Sequence, residues 1–392
     1  MNIPPKKLDA WADILLDSAL GGISPSDSVM IKAEAVAWPL VSVLQEKVLR
    51  AGALTDIFIT PPDNERGMVW SAAAARLCRP QRLRAVPAWQ AARYEAATKY
   101  IEIFGMERPE LARLSGPAAR RITELDLQLK RIWRGKRYVI TMFPTGAGAQ
   151  QERLPLRDYT DAVVSGSVQS PEAMKPLMAG LSDMLDRSSS LVIVTRSPGG
   201  GPEHRLEMDI RRSRAVRTFP GGNIPCGEAY TSPDASSVEG SIYLDLPISR
   251  GCEVIGGTLL RFRRGRLVSF SAKQGLPALE RIVGTDAGAR RLGEVAFGIN
   301  PGLRTVLRHP LFCEKLCGTM HIALGNSFPE AFGLNGATAQ GRAAYADLAK
   351  RGIANISAQH LDLVVSFRKG MAGRLVLVDG TPLPLRDGNW AP

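Results

Sequence analysis

The sequence predicts an α/β N-terminal domain with an open, mostly parallel sheet, followed by a β-rich α+β C-terminal domain. The first observation is the length of 392 residues, which exceeds what one hydrophobic core usually supports. The second is that strand-like and helix-like segments alternate near the N-terminus, as in parallel-sheet domains. The third is a change after residue 215, where short strand-like runs separated by turns become frequent. We therefore expect two domains, over residues 1–215 and 216–392.

The N-terminal elements follow the order helix, strand, helix, strand. Apolar residues at helical spacing predict a helix over residues 8–20, and Ser28–Glu34 is typical of a strand. Pro39 and Gly52 bound a second helix, and Asp56–Thr60 predicts the next strand. The segment between the first strand and its helix lacks the glycine fingerprint of a dinucleotide site, so we do not expect that kind of cofactor.

The middle of the chain is predicted to be helical to residue 132, with strands over 138–144 and Ser188–Thr195. Gly146-Ala-Gly148 is not followed by the Lys-Ser/Thr of a phosphate loop and predicts a turn. His204 follows the Pro- and Gly-rich segment 198–202, so we expect it on a solvated loop. Beyond residue 215 we expect a helix near Leu276 to Leu292 and strands over Gly240–Leu246, Gly257–Phe262, Arg266–Phe270, Leu363–Phe367 and Arg374–Val378.

Composition indicates an ordinary globular protein. Hydrophobic residues make up 45% of the chain and charged residues 22%. No apolar run approaches the roughly 18 residues that span a bilayer, and the N-terminus lacks the apolar core of a signal peptide. We therefore expect a cytoplasmic protein without a membrane partner. The net charge of +12 is spread over short basic runs typical of solvated faces, so nucleic acid is not an expected partner.

Three carboxylates and two imidazoles form the set with the clearest chemistry. The chain has four histidines, and two of them lie beside carboxylates in apolar runs. Such groups are costly to bury unless they are paired or bound to a metal. Residues two apart in a strand point the same way, so His360 and Asp362 can face one site. The complete set is Glu228, Glu294, His321, His360 and Asp362.

Each member of the set also has a simpler explanation. Glu228 alone could be a surface carboxylate, Glu294 could form a buried salt bridge, and His321 could be a hydrogen-bonded core residue. His-x-Asp could belong to a solvent-facing side of a strand. The joint occurrence in apolar strand-like runs favours ligands for a pair of divalent metal ions.

Four segments resemble one known family. Asn223-Ile-Pro-Cys-Gly-Glu228-Ala-Tyr and Gly284-Thr-Asp-Ala-Gly-Ala-Arg-Arg-Leu-Gly-Glu294 are similar to the two glutamate segments of the aminopeptidase T/aminopeptidase S family of metalloaminopeptidases. Gly318-Thr-Met-His321-Ile-Ala-Leu-Gly and His360-Leu-Asp362 are similar to its histidine segments. The order agrees throughout, and the match covers roughly residues 220–366.

The resemblance implies a two-metal exopeptidase that removes N-terminal residues from peptides, or acts on a related small amide. It implies an N-terminal α/β domain, a C-terminal β-rich domain that carries the metals, and a homodimer. The metal ligands would be Glu228, Glu294, His321, His360 and Asp362, with Glu294 bridging and both glutamates in catalytic roles. Zinc, cobalt or manganese would serve as the two divalent metal ions.

One position departs from better-known members of the family. They carry a tyrosine seven residues after the first histidine, where this chain has Phe328. Phenylalanine cannot donate a hydrogen bond to a developing oxyanion. We therefore treat Phe328 as a candidate for the substrate pocket, and expect metal binding with more assurance than peptidase activity.

Two other functions stay open from the sequence. The 2,5-dihydroxypyridine dioxygenases resemble the same family and use a single Fe(II), for which His321, His360 and Asp362 would form the two-histidine, one-carboxylate triad. That reading leaves Glu228 and Glu294 without an evident task. A non-catalytic metal-containing protein that binds an acidic partner through its arginine runs is the second alternative.

Overall fold

The computed structural model describes residues 3–60, 85–105, 116–218, 222–250, 253–368 and 373–392. The chain forms two compact units. The first comprises Met1–Pro171 and Phe219–Cys226, and the second comprises Glu172–Thr218 and Gly227–Pro392. The domain boundary expected after residue 215 stays a prediction.

The first unit is an α/β unit on a parallel sheet, as the alternating segments predict. Its strands are β1 (Ser28–Glu34), β2 (Leu54–Thr60), β3 (Lys99–Phe104), β4 (Arg137–Met142) and β8 (Gly222–Asn223). They lie in the order β2-β1-β3-β4-β8, and each described pair is parallel. The helices are α1 (Pro5–Asp13), continued by a π-helix (Ile14–Ala19), α2 (Trp38–Arg50), α3 (Ala88–Ala96), α4 (Gly116–Arg134), α5 (Gly146–Glu152) and α6 (Leu156–Ser167).

The central strand β1 is buried on both sides, which is typical of parallel sheets. On one side Met30 joins an aromatic cluster in which Tyr100 and Trp133 stack with ring centroids 4.9 Å apart. Elsewhere in the unit Trp11 stacks on Phe143 at 6.1 Å. These contacts form the hydrophobic core of the first unit.

A buried ion pair links β1 to β3. The parallel register places Lys32 beside Glu102, and Lys32 Nζ lies 2.9 Å from Glu102 Oε1. Each side chain is only 4% exposed. Burial opposes the charging of Lys32, but the charge of Glu102 outweighs it and raises the lysine pKa. Removing either partner alone would leave a buried charge without compensation.

The second unit contains two antiparallel sheets. The larger has the order β11-β12-β10-β6-β5-β17-β18, with β13 paired to β12. Its strands are β5 (Ser190–Arg196), β6 (Glu203–Asp209), β10 (Glu239–Leu244), β11 (Ile248–Arg250), β12 (Glu253–Arg263), β13 (Arg266–Gln274), β17 (Leu375–Val378) and β18 (Thr381–Pro382).

The smaller sheet, which we call the site sheet, has the order β16-β15-β14-β9-β7. Its strands are β7 (Val216–Arg217), β9 (Glu228–Thr231), β14 (Leu292–Gly298), β15 (Thr319–Gly325) and β16 (His360–Ser366). The helices of the unit are α7 (Pro171–Arg187), α8 (Leu276–Val283), α9 (Pro310–Cys313) and α10 (Ala339–Lys350), and β19 (Leu385–Arg386) pairs with β20 (Asn389–Trp390). Every residue of β14 and β15 is buried.

Four local predictions were wrong. Lys99–Phe104 is a buried strand and not helix, because its nearly continuous apolar run fits a parallel strand that is buried on both sides. Gly146–Gly148 begins helix α5, whose Thr145 cap accepts a hydrogen bond from the Gly148 amide at 2.9 Å. His204 is buried in β6, with Nε2 2.9 Å from Ser197 Oγ. The helix expected to Leu292 ends at Val283.

One further prediction lies partly outside the described residues, and another concerns membrane-spanning helices. The helix expected before residue 132 includes residues 61–84 and 106–115, which are not among the described ranges. No helix within the described ranges combines the length and apolarity that crossing a bilayer requires.

Lys32→Met should lower the free energy of unfolding by about 3–5 kcal/mol, because Glu102 keeps its buried charge without a partner. Urea unfolding followed by tryptophan fluorescence would measure the loss. The control is Lys32→Met combined with Glu102→Leu, which removes both charges and should restore most of the stability. A single Lys32→Met variant as stable as the parent protein would contradict the importance of this pair.

Candidate metal centre

The strand register brings the predicted site residues to one side of the site sheet. Directly paired residues of antiparallel strands point to the same side. Ala323 pairs with Glu294 on one flank and with Asp362 on the other. Gly325 pairs with His360. These small residues leave the space between the larger side chains open.

The neighbouring cross-strand pairs of the site sheet contain the remaining candidate ligands. Ala296 pairs with His321 and with Tyr230, and Gly298 pairs with Glu228. Alternation along β14 places Ala296 and Gly298 on the same side as Glu294. Four strands therefore supply the five predicted side chains to one surface of a single sheet.

The five side chains lie in mutual contact. His321 Nε2 is 3.1 Å from Glu294 Oε1, 3.7 Å from Glu228 Oε2 and 3.9 Å from Asp362 Oδ1. His360 Nε2 is 3.2 Å from Asp362 Oδ1 and 3.9 Å from Glu294 Oε2. The two oxygens of Glu294 thus face one imidazole each.

A glycine close to Glu294 helps to orient His360. The β14–β15 register shifts between Leu292 and Glu294, at Gly293. A Cβ on Gly293 would lie 2.2 Å from the Asn326 carbonyl oxygen, so only glycine permits this approach. The same carbonyl lies 2.8 Å from His360 Nδ1. If Nδ1–H donates to it, Nε2 is left facing the carboxylates, as is usual for a metal-ligating histidine.

A buried lysine contacts the cluster from a segment that follows α9. Lys315 Nζ lies 3.0 Å from Glu228 Oε2 and 2.6 Å from Glu314 Oε2, and its side chain is 2% exposed. Burial raises the pKa of Glu314 to about 8, so this carboxyl carries its proton at neutral pH. Lys315 therefore holds Glu228 in place with a charge that water does not screen.

Two aromatic rings stand beside the cluster. The Phe328 ring centroid is 4.8 Å from that of His360 and 6.1 Å from that of Tyr230. Tyr230 follows Glu228 by two residues on β9, so both side chains point to the same side. Burial, followed by the charges of Glu294 and Glu228, raises the pKa of the Tyr230 phenol above its usual range, and the phenol stays protonated.

Both imidazoles are basic in the absence of a metal. Burial opposes protonation of His321, but its hydrogen bond to Glu294 and the nearby carboxylates outweigh burial and raise the pKa to about 9. For His360 burial is likewise outweighed, mainly by the charge of Asp362, and the pKa rises to about 10. The same contact holds the pKa of the buried Asp362 carboxyl below its usual range. The carboxylates of the cluster therefore stabilise positive charge on their neighbours.

The donor set fits divalent metal ions. Carboxylate oxygens and imidazole nitrogens are ligands of zinc, cobalt and manganese. Glu294, His321 and Asp362 each offer one donor atom, all within 4.8 Å of one another. Glu228 Oε2 and Asp362 Oδ1 are buried with charged neighbours but without a hydrogen bond of good geometry in the described ranges. Such atoms are what an ion in the cluster would coordinate.

The sequence analysis identified the five candidate ligands and Phe328. It missed three residues that lie next to the cluster. Glu314 and Lys315 stand as a charged pair inside the apolar run Leu311–Leu316, which is itself a signal that the two are buried together. Tyr230 could have been found from its spacing of two residues from Glu228.

Comparison with known proteins finds similar sequences over the part of the chain that contains the cluster. Residues 208–390 match the family model described as thermophilic metalloprotease (M29). Aminopeptidase 2 from Geobacillus stearothermophilus is 35% identical over 175 residues, and aminopeptidase T from Thermus thermophilus is 35% identical over 173 residues. Each alignment covers 43% of this chain and 40% of the relative, so the match spans less than half the length of these curated relatives.

Solved structures extend the likeness of fold to the whole chain. Wild-type AmpT from Thermus thermophilus superimposes with a TM-score of 0.77 at 22% identity, covering 99% of both chains. The 2,5-dihydroxypyridine dioxygenase from Pseudomonas putida KT2440 gives a TM-score of 0.56 at 14% identity, covering 100% of this chain and 98% of the other. The first likeness confirms the predicted fold class. Residues 208–390, which are less than half of the chain and contain the whole cluster, are similar to the thermophilic metalloprotease (M29) family.

Proposed function

We propose that this protein is a metal-dependent aminopeptidase, a metallo-exopeptidase that hydrolyses the N-terminal residue of peptides or a related amide. The match of residues 208–390 to the thermophilic metalloprotease (M29) family model and the aminopeptidase names of the similar proteins support this activity. The observation that carries the two-metal form is the position of Glu294, with one oxygen 3.1 Å from His321 and the other 3.9 Å from His360. A carboxylate placed between two imidazoles can bridge two ions.

In this proposal Glu228, Glu294, His321, His360 and Asp362 hold two divalent ions. When bound, such ions polarise the scissile carbonyl and supply a nucleophilic water at neutral pH. The bridging role falls to Glu294. Because Glu228 lies against Lys315, its carboxylate is held in one position before any ion or substrate arrives.

The surrounding residues create a dry site. His321 is 1% exposed and Glu294 is 5% exposed, whereas His360 at the rim is 25% exposed. Without metal, the protonated imidazoles of His321 and His360 and the Lys315 ammonium balance the carboxylates, so bound cations would take the place of the imidazole protons. The half-exposed side at His360 and Phe328 is therefore where we place the entry of the substrate.

The ring-cleaving dioxygenase reading is less well supported. A single iron on His321, His360 and Asp362 would leave Glu228 and Glu294 buried against its ligand His321, at 3.7 Å and 3.1 Å. Two further carboxylates in contact with the triad favour a second ion. The likeness to the dioxygenase structure concerns the fold.

Several finer points belong to the same proposal. Zinc, cobalt or manganese are the metals we expect, since the donor set is oxygen and nitrogen. A cytoplasmic location and a homodimer follow from the sequence reading and the family resemblance. Phe328 is proposed as part of the substrate pocket, because its ring contacts His360 at the exposed rim.

Glu294→Ala should remove the metal and lower hydrolysis of aminoacyl-p-nitroanilides at least about 100-fold, because both ions lose a shared ligand. Elemental analysis and initial rates with zinc, cobalt or manganese would measure the two effects. The matched control is Glu253→Ala, an exposed glutamate paired with Arg281, which should change neither.

Two outcomes would contradict the aminopeptidase, and a third would contradict the ligand role of Glu294. One iron per chain with oxygen consumption would indicate the dioxygenase. Intact metal binding without turnover on any aminoacyl substrate would indicate a binding protein. A Glu294→Ala variant that keeps its metal would show that Glu294 is not a ligand.

Metal binding should release protons at neutral pH. Since the folded-state pKa values of His321 and His360 are raised to about 9 and about 10, both imidazoles are protonated at pH 7 without metal. An incoming ion must displace about two protons, so its affinity should rise as pH increases toward 9 to 10. Calorimetric titration of zinc into metal-free protein, in buffers of different ionisation enthalpy, counts the protons. Zinc binding that releases none would contradict imidazole ligation.

A further inference from the structure

The site sheet carries one more polar group on the side of the metal ligands. Tyr230 lies in the same row as His321, separated from it only by the small side chain of Ala296. Its ring packs edge-on against Phe328, which in turn contacts His360. The tyrosine therefore stands at the same rim as His360 and Phe328, beside the cluster.

The hydroxyl of Tyr230 is an uncommitted hydrogen-bond donor. Within the described ranges it makes no hydrogen bond. Tyr230 is only partly buried, so a ligand can approach it. A neutral phenol next to a cation-binding cluster can donate to an oxygen that carries negative charge.

Other donors near the cluster are already used. Lys315 is held between Glu228 and Glu314 at 3.0 and 2.6 Å. Thr319, on the same side of β15, donates its hydroxyl to the Leu316 carbonyl at 2.7 Å. Carboxylates accept only, and Phe328 has no polar atom. Tyr230 is therefore the uncommitted donor that stands directly beside His321, separated from it only by Ala296.

We propose that Tyr230 is a catalytic residue that donates a hydrogen bond to the oxyanion formed during amide hydrolysis. This inference rests on the proposed aminopeptidase function. Water oxygen adds to the carbonyl carbon, and the carbonyl electron pair moves onto its oxygen. When that oxyanion collapses, the C–N bond breaks and the leaving nitrogen takes a proton that came from the water. Tyr230 keeps its own proton throughout and stabilises the charge only while it exists.

The test compares Tyr230→Phe with the parent protein, both loaded with zinc and with equal metal content by elemental analysis. Loss of one oxyanion donor should lower kcat on leucyl-p-nitroanilide by about 100- to 1000-fold. Calorimetry should show weaker binding of L-leucinephosphonic acid, whose tetrahedral anionic group resembles the oxyanion, by about 10- to 100-fold. Binding of 3-methylbutan-1-amine, which has the amine and the side chain of leucine but no oxygen, should not change.

Tyr243→Phe is the matched control, since it removes a phenol hydroxyl from the larger sheet of the same unit. It should change neither kcat nor the affinity for the phosphonate. If the parent protein is active and the Tyr230→Phe variant has the same kcat and the same phosphonate affinity, the role of Tyr230 is overturned while the aminopeptidase function stands. A parent protein that hydrolyses no aminoacyl substrate would overturn the aminopeptidase. The affinities of the two proteins for the phosphonate would then decide whether Tyr230 donates to an anionic oxygen. Equal affinity in both proteins, or binding to neither, would overturn the role of Tyr230 as well.

Discussion

The contact of Glu294 with two imidazoles is the interaction on which the centre depends. One carboxylate oxygen lies 3.1 Å from His321 and the other 3.9 Å from His360, in a place where Glu294 is only 5% exposed. Charges in such surroundings interact far more strongly than in water. The three residues come from three adjacent strands, so the pairing register of the site sheet, and not any local segment, sets their distance.

Small residues make this geometry possible. Ala323, Gly325 and Ala296 occupy the positions between the ligands, and a larger side chain in any of them would fill the site. Gly293 allows the Asn326 carbonyl to reach His360 Nδ1. The sheet thus gathers the charged side chains of the cluster on one side, while all residues of β14 and β15 stay buried.

Much of the fold and of the centre could be predicted from the sequence, for identifiable reasons. The strand Ser28–Glu34 was predicted with the bounds it has, because its apolar run is bracketed by turn residues and a proline-started helix. The ligand set could be assembled because His360 and Asp362 share a strand and because the segments resemble a known family. His204 was misplaced, although it alternates with Leu206 and Met208 on the buried side of β6.

What could not be predicted depends on contacts between distant segments. Lys315 reaches Glu228 because its carbonyl accepts from the Asn300 amide beyond β14, where Ile299 in turn donates to the Gly227 carbonyl before β9. No spacing in the sequence reveals these contacts. The tie between His360 and Asn326 depends on a register shift at Gly293. The position of Tyr230 relative to His321 likewise needs the order of β9, β14 and β15 in the sheet.

Crystals of the zinc-loaded protein, measured on both sides of the zinc absorption edge, would test the centre most directly. We expect two anomalous peaks about 3.5–4 Å apart, with Glu294 between them and Glu228, His321, His360 and Asp362 completing their shells. A single peak, or two peaks that leave Glu228 and Glu294 without a metal contact, would contradict the two-ion centre.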